Sequence, residues 1–188
     1  DLEASGRPVV LVTVHRRESW GEPLQKIGRA LRRIADAFPD HTLVLPLHRN
    51  PLVRRGILPH VEHLDNVLAI EPLDYGDFAR LMQLARLVVS DSGGVQEEAP
   101  SLGKPVLVLR ENTERPEAVT AGTVRLVGTA EDRIVDEVSD LLTSADSYAH
   151  MANAVNPYGD GAAAARAVAA IAHLLGIGGR LPDFGLPQ

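Results

Sequence analysis

The residues whose types and spacing best suit chemistry are Ser92, Gly93 and Gly94, which follow an apolar run and precede an acidic segment. This order predicts a strand, a tight turn and the first turn of a helix. The first N–H groups of a helix have no partner within it, and the helix dipole is positive there, so such a turn suits a phosphate. The serine adds a hydroxyl donor, and the glycines allow a ligand to approach the backbone. Glu97 and Glu98 follow about one turn later, where a carboxylate could hold a sugar hydroxyl.

Two other interpretations of this stretch compete with phosphate binding. Asp91-Ser92-Gly93-Gly94 is similar to the nucleophile segment of trypsin-like serine proteases. The chain has no cysteine, its pattern is α/β, and a helix follows the serine at once, so a nucleophilic serine is disfavoured. A glycine-rich turn that merely closes a strand–helix corner remains open. Binding of a phosphate or a nucleotide is favoured over both.

A charged cluster, His15-Arg16-Arg17-Glu18, follows the first apolar run of the chain. Such a cluster can simply mark the solvated end of a strand. An imidazole at this place could also bind a diphosphate, or donate a proton to it as it leaves. We favour a functional role for His15 because other polar clusters also follow predicted strands.

Three further features allow a structural or a functional interpretation. Phe78 lies in a predicted helix, where core packing is the default and a position flanking a base is the alternative. His60 and His63 have a spacing seen in metal sites, but no third ligand is near and the segment has the pattern of an exposed connection, so no metal site is expected. The glycines of 176–179 follow a helix and therefore do not match a dinucleotide-binding fingerprint.

Apolar runs alternate with helical patterns along the whole chain. Strands are predicted at 8–14, 42–47, 67–70, 87–89, 105–109 and 124–127. Helices are predicted over about 24–38, 51–56, 74–84, 130–142, 147–154 and 162–175, with further helical turns after Gly94 and Pro116. This alternation indicates βαβ units and a Rossmann-like, doubly wound parallel sheet of the α/β class. Ligands of such sheets bind outside the carboxyl ends of the strands, where the polar clusters lie.

Composition limits the possible classes of protein. A length of 188 residues with 45% hydrophobic residues predicts one globular domain at 1–175 and a Gly- and Pro-containing tail at 176–188. A net charge of −6 argues against a nucleic-acid surface, and no apolar run approaches the length of a membrane span. The absence of cysteine is compatible with a reducing compartment and excludes a thiol nucleophile. The first residue is not Met, so we expect the chain to be part of a longer protein.

Five separated segments together resemble the non-hydrolysing bacterial UDP-N-acetylglucosamine 2-epimerases. They are 12–18, 91–100, 102–106, 113–118 and 156–161, and they span nearly the whole chain in the family's order. One departure is Ser19, where the family usually has Asn after Arg-Arg-Glu. The resemblance implies an enzyme of glycosyltransferase-B type with two Rossmann-like domains, of which this chain is the second, UDP-binding one.

The resemblance also implies roles for individual residues. Ser92, Gly93 and Gly94 hold the diphosphate, and Glu98 holds the ribose hydroxyls. His15 corresponds to an active-site histidine that contacts the diphosphate, while Arg115 and Phe78 line the UDP site. The carboxylates that transfer the proton at C2 of the sugar belong to the amino-terminal domain, and no metal or redox cofactor is required. A cytoplasmic enzyme that dimerises through that other domain is implied.

The family reaction interconverts UDP-N-acetylglucosamine and UDP-N-acetylmannosamine, a precursor of surface polysaccharides. UDP leaves C1 as the C2 proton is removed, 2-acetamidoglucal forms, and UDP adds again with the proton on the other face. A retaining glycosyltransferase with the same fold and a non-catalytic nucleotide-sugar-binding module remain alternatives. An epimerase needs no acceptor sugar, whereas a transferase does.

Overall fold

A computed structural model describes residues 2–185 of the chain. Its core is a six-stranded sheet with the order β3-β2-β1-β4-β5-β6, and every neighbouring pair is parallel. The strands are β1 (Val9–Thr13), β2 (Thr42–Pro46), β3 (Val67–Ile70), β4 (Ala85–Ser90), β5 (Val106–Val108) and β6 (Val124–Leu126). The strand order reverses between β1 and β4, which confirms the predicted doubly wound α/β sheet.

Helices cover both faces of this sheet. They are α1 (Leu2–Ser5), α2 (Glu22–Ala37), α3 (Pro51–Val61), α4 (Tyr75–Leu84), α5 (Gly93–Ser101), α6 (Pro116–Ala121), α7 (Glu131–Thr143), α8 (Ala145–Ala152) and α9 (Ala163–Leu174). Helices α2, α3, α7 and α8 contribute to the apolar core on one face, while α4, α5 and α6 contribute to the core on the other.

The central strands are apolar on both sides because both faces are covered. Along β1, Val10 and Val12 belong to one core and Val9 and Leu11 to the other, and all four are at most 3% exposed. Side chains of a strand alternate between its faces, so a continuous apolar run is what a doubly covered strand requires. This explains why the strand was predictable from its sequence.

Apart from α3, the predicted strands and long helices agree with the structure to within about two residues at each end. Strand β4 begins at Ala85, directly after α4 ends at Leu84, and is therefore longer than the predicted 87–89. A four-residue helix, α1, precedes β1 and was not predicted. The start of β4 is an element end, where local patterns carry least information.

The prediction that α3 ends near Gly56 and that His60 lies in an exposed connection is wrong. Helix α3 continues through Pro59 to Val61. Proline lacks the N–H that would bond to the carbonyl of Arg55, and the side-chain amide of Gln25 on α2 approaches that carbonyl at 3.5 Å instead. The other side of the same amide contacts His60 Nε2 at 2.8 Å. Packing against α2 therefore outweighs the local helix-breaking signal.

The described part of the chain also bears on membrane-spanning helices, metal-binding groups and the predicted tail. Within 2–185, no helix has the length and apolar character needed to cross a bilayer. The same residues contain no group of three or more His, Cys, Asp or Glu side chains arranged to hold a metal ion. Of the predicted tail at 176–188, the last three residues lie outside the described part of the chain.

We expect Gly56→Ala to destabilise the chain, because a Cβ at this buried position would lie 2.7 Å from Cβ of Leu24. Overpacking of this kind costs about 1–3 kcal/mol, which exceeds the roughly 1 kcal/mol that alanine gains over glycine in a helix. Urea unfolding should show a lower midpoint with an unchanged slope. The matched control is Gly76→Ala on α4, where the nearest atom would be 3.6 Å away, and stability should be unchanged or slightly higher. Equal effects of the two substitutions would contradict this account.

Candidate functional site

The candidate site lies where β1 and β4 end side by side. Thr13 and Ser90 are register partners at the last step of the parallel ladder. The pairing continues one residue further, since the N–H of Asp91 donates to the carbonyl of Thr13 at 3.2 Å. The loop after β1, which begins with His15, therefore meets the loop that begins with Asp91. The two sequence clusters singled out above are brought together by this single strand pair.

Asp91 connects these two loops through a fully buried carboxylate. Its Oδ2 accepts the backbone N–H groups of His15 at 2.9 Å and Arg16 at 2.8 Å. Its Oδ1 lies 3.2 Å from Nδ1 of the His15 ring. Burial raises the pKa of Asp91, and the two backbone N–H groups oppose that rise. The carboxylate thus positions both the backbone and the ring of His15.

The hydroxyl of Ser90 shapes the turn that follows β4. It lies 2.7 Å from the hydroxyl of Thr13 and accepts the backbone N–H of Ser92 at 2.9 Å. Ser92 is the residue before α5, with an extended backbone and no bond from its own side chain to the helix backbone. Ser92 lines the cleft at this end of the sheet, so the start of α5 borders that cleft.

Arg115 lies against the first residue of α5. A Cβ added to Gly93 would be 2.6 Å from Nη1 of Arg115, so a larger residue here would displace the guanidinium from its present place. Arg115 donates from Nε to Glu97 and from Nη1 to Glu114, each at 2.6 Å. The positive end of the helix dipole and a fixed guanidinium are therefore adjacent.

Arginines and glutamates alternate around this edge of the sheet. Arg110 donates to Glu18 and to Glu114, both at 2.6 Å, and so links the loop after β1 to the loop after β5. Hydrogen bonds from its own backbone N–H and from Arg110 lower the pKa of Glu114 to about 2. Glu114 therefore stays ionised at neutral pH and keeps Arg110 and Arg115 in place.

A cleft of about 200 Å³ opens beside this turn. His15, Ser92 and the half-buried ring of Phe78 line it together. The other lining residues are Thr13, Val14, Pro46, His48, Pro72, Leu73 and Val95. The lining thus combines polar side chains that follow β1, β2 and β4 with apolar ones that include Phe78 of α4 and Val95 of α5.

Glu98 lies outside that cleft, one turn further along α5. Its Oε1 would be 3.4 Å from a Cβ on Gly94, and the side chain lines a neighbouring cleft with Tyr75 and Ala79 of α4. Both clefts border α4 and α5. A ligand at the start of α5 could therefore extend toward Phe78 and toward Glu98.

Sequence reasoning placed polar residues after the strands but missed the contacts between them. Asp91, Glu97 and Glu114 are acceptors for the predicted site residues, and His48 stacks on His15 with ring centroids 6.1 Å apart. Asp91 stood inside a motif already singled out, directly after a buried strand, which was a usable signal. Nothing local to the sequence indicates that Glu97 bonds to Arg115, because 17 intervening residues include all of β5.

The segment 156–161 belongs to the turn before α9 rather than to the cleft. Asn156 accepts the N–H of Tyr158 at 3.2 Å, and Asp160 accepts two bonds of 2.7 Å from Arg166 on α9. Burial raises the pKa of Tyr158 to about 12, and its ring packs on the core under α5 and α6. This motif therefore stabilises the turn that precedes α9 and its connection to that helix.

We expect Ser90→Ala to lower stability and to loosen the turn before α5. The change removes the hydroxyl that bonds to Thr13 and that accepts the N–H of Ser92. Leaving such groups without a partner costs about 1–3 kcal/mol when they are buried. Urea unfolding measures the loss, and amide hydrogen exchange at Ser92 and Gly93 should become faster. Ser101→Ala is the control, because its hydroxyl bonds at an exposed position, and it should change stability by less than about 1 kcal/mol. Unchanged stability in Ser90→Ala would refute this role.

Comparisons with known proteins agree on one family. The family model described as UDP-N-acetylglucosamine 2-epimerase matches residues 2–172. The UDP-N-acetylglucosamine 2-epimerase of Escherichia coli K12 is 53% identical over 165 residues, which cover 88% of this chain and 44% of that protein. The chain spans about half the length of the curated relatives it matches.

Solved structures agree with this match. A Listeria monocytogenes homologue superposes with a TM-score of 0.94 at 46% identity, over 98% of this chain and 50% of that one. The UDP-GlcNAc 2-epimerase of Neisseria meningitidis, solved bound to UDP-GlcNAc, gives a TM-score of 0.84 at 47% identity, over 89% and 45% of the two chains.

A more distant structure shows the fold alone. The carboxyl-terminal domain of a Francisella tularensis glycosyltransferase has a TM-score of 0.66 at 17% identity. The fold is therefore shared with one half of glycosyltransferase-B-type proteins, as predicted. The resemblance indicated by the five segments is confirmed, and the chain belongs to the UDP-N-acetylglucosamine 2-epimerase family.

Proposed function

We propose that this chain is the UDP-binding half of a non-hydrolysing UDP-N-acetylglucosamine 2-epimerase. The observation that carries the proposal is the convergence of His15, Ser92 and the start of α5 on one cleft that also contains Phe78. A nucleoside diphosphate sugar has an anionic centre, an aromatic base and a ribose. The two neighbouring clefts offer a complementary group for each of these parts.

The diphosphate binds at the start of α5. Backbone N–H groups at the first turn, the hydroxyl of Ser92 and the adjacent guanidinium of Arg115 all favour negative charge there. Gly93 and Gly94 permit close approach of the phosphate to the backbone. A chain with net charge −6 can therefore bind an anion, because the attraction is local.

The uracil and the ribose occupy the two clefts beside α4. The uracil lies between the ring of Phe78 and the apolar wall formed by Pro46 and Leu73. The ribose hydroxyls donate to the carboxylate of Glu98, which faces the neighbouring cleft. Carboxylates accept such bonds well, since hydrogen bonds to a charged group are stronger than neutral ones.

The reaction proceeds by elimination and re-addition. The C–H electron pair at C2 forms the C1=C2 double bond of 2-acetamidoglucal, and the C1–O pair leaves with UDP. Negative charge develops on the diphosphate as that bond breaks, so donors fixed around it lower the barrier. His15 supplies a hydrogen bond or a proton to the leaving diphosphate, and the base that removes the C2 proton comes from the amino-terminal domain. Re-addition of UDP after protonation from the other face gives UDP-N-acetylmannosamine.

The proposal requires the other half of the enzyme. Residues 1–175 form the UDP-binding domain, and the active site lies between it and an amino-terminal domain through which the cytoplasmic enzyme dimerises. The exposure of helix α9 is consistent with a second domain that packs on it. None of its residues is buried, and Val168, Ile171 and Leu174 are 59–85% exposed. Helices of globular proteins normally bury their apolar stripe.

Incubation of the longer, two-domain protein with UDP-N-acetylglucosamine in deuterated water tests the reaction. We expect deuterium at C2 and the appearance of UDP-N-acetylmannosamine without any acceptor, because removal and return of the C2 proton proceed through solvent exchange. NMR or mass spectrometry measures the label. UDP release that depends on an acceptor would indicate a glycosyltransferase, and no label at C2 would sink the epimerase proposal. The 188-residue chain alone should exchange nothing, since it lacks the base.

Calorimetric titration of the 188-residue chain with UDP tests the binding site. We expect Glu98→Ala to weaken UDP binding about 10- to 100-fold, because charged hydrogen bonds contribute about 1.5–3 kcal/mol and each 1.4 kcal/mol is a factor of ten. Glu62→Ala, an exposed glutamate after α3, is the matched control and should bind as the parent does. Unchanged affinity in Glu98→Ala would remove this residue from the ribose site.

A further inference from the structure

We infer that Asp91 is a positioning residue that fixes the tautomer of His15, so that Nε2 is the ring nitrogen presented to the substrate. The inference rests on the proposed function for its catalytic consequence. Its structural basis is independent of that function. Asp91 is 0% exposed, so it does not itself reach a ligand.

The tautomer of His15 follows from the hydrogen-bonding properties of an ionised carboxylate. It accepts hydrogen bonds and donates none, so its charge favours a proton on the ring nitrogen that faces it. Oδ1 of Asp91 lies 3.2 Å from Nδ1 of His15. The N–H groups of His15 and Arg16 hold the same carboxylate in the turn, so it is not free to rotate away. The proton is therefore on Nδ1, and Nε2 is left for exchange with a ligand.

The neighbouring imidazole, that of His48, carries its proton on the other ring nitrogen. Nδ1 of His48 accepts the backbone N–H of Asn50 at 3.1 Å, so its ring proton is on Nε2. The two rings are stacked with an interplanar angle of 23°. Only His15 of this pair contacts a carboxylate in the described structure, so only its Nδ1–H has an acceptor when both ring nitrogens carry protons. The geometry thus assigns the proton-carrying role to His15 rather than to His48.

The consequence for the elimination is a defined path for one proton. Nε2 of protonated His15 gives its proton to the departing diphosphate oxygen as the C1–O bond breaks, and takes it back when UDP adds again. Asp91 stays ionised throughout and stabilises the imidazolium, as the carboxylate does in a serine-protease triad. The other charged groups near the ring, Arg16 and the Glu114 that it approaches at 4.0 Å, belong to the rim and do not contact Nδ1.

Nitrogen-15 NMR of the imidazoles in the 188-residue chain tests the tautomer without any substitution. We expect the neutral form of His15 to carry its proton on Nδ1 and that of His48 on Nε2. His15→Gln assigns the signals. A neutral His15 with its proton on Nε2 would overturn the inference. This measurement involves no substrate, so its result does not depend on whether the reaction is an epimerisation.

Asp91→Asn in the two-domain protein tests the catalytic consequence. An asparagine oxygen can keep the bonds that Oδ2 accepts from the N–H groups of His15 and Arg16, and only the longer contact of Oδ1 with the N–H of His15 is lost. The amide nitrogen then faces Nδ1 as a donor and forces the ring proton to Nε2. We expect kcat to fall about 10²–10⁴-fold, the range for loss of general acid catalysis, while KM changes less than threefold. Asp136→Asn on α7 is the matched control and should keep the parent kcat.

A double substitution separates positioning from a merely structural role. His15→Ala with Asp91→Asn should be no slower than His15→Ala alone, because groups that act as a unit are not additive. A further multiplicative loss in the double variant, or an unchanged kcat in Asp91→Asn with only a lower Tm, would refute the positioning role. If the parent protein shows no exchange at C2 but NMR shows the expected tautomer, the proposed reaction is refuted and the assignment of the His15 tautomer is still supported.

Discussion

The parallel pairing of β1 with β4 is the interaction on which the site depends. It joins residues about 75 positions apart in the sequence and ends the two strands at the same level. Because chain segments leave this sheet edge in opposite directions, a crevice forms between them. The buried carboxylate of Asp91 then closes the junction, since it accepts backbone N–H groups from the loop after β1. Loss of this register would separate His15 from Ser92, whatever the local structure of each loop.

Charge at the site is balanced rather than positive. Arg110 and Arg115 each bond to Glu114, and Arg115 also bonds to Glu97. These pairs orient the guanidinium groups before any ligand arrives. Binding of an anion therefore loses little further conformational entropy of the long arginine side chains. The same pairs keep the local net charge low. In the proposed function, selectivity for a diphosphate therefore rests on fixed donors and on the helix dipole.

The proposed function divides the chemistry between this chain and an amino-terminal domain. In that proposal this chain contributes the groups for the leaving UDP, and the apolar side chains of α9, none of which is buried, are free to pack on the other domain. A site that lies between two domains can exclude water when they close and can open for product release. In the family to which the chain belongs, relatives are about twice as long as this chain.

The sequence by itself determined the strands, the sheet class and the glycine-rich turn. Doubly buried strands are continuous apolar runs, and α2 carries its buried row of Leu24, Ile27, Leu31 and Ile34 at helical spacing, so local patterns were sufficient for these elements. The five separated segments were also sufficient to identify the family. Local patterns failed at Pro59, where packing of Gln25 and His60 between α2 and α3 continues the helix.

Only the tertiary structure decided which side chains meet. The contacts of Asp91 with His15, of Glu97 with Arg115 and of Arg110 with Glu18 join different βα units. Their distances depend on strand order and register, which no short stretch of sequence encodes. The tautomer of His15 and the fit of Arg115 over Gly93 follow from those distances, because hydrogen bonds and steric contacts act over only a few ångströms.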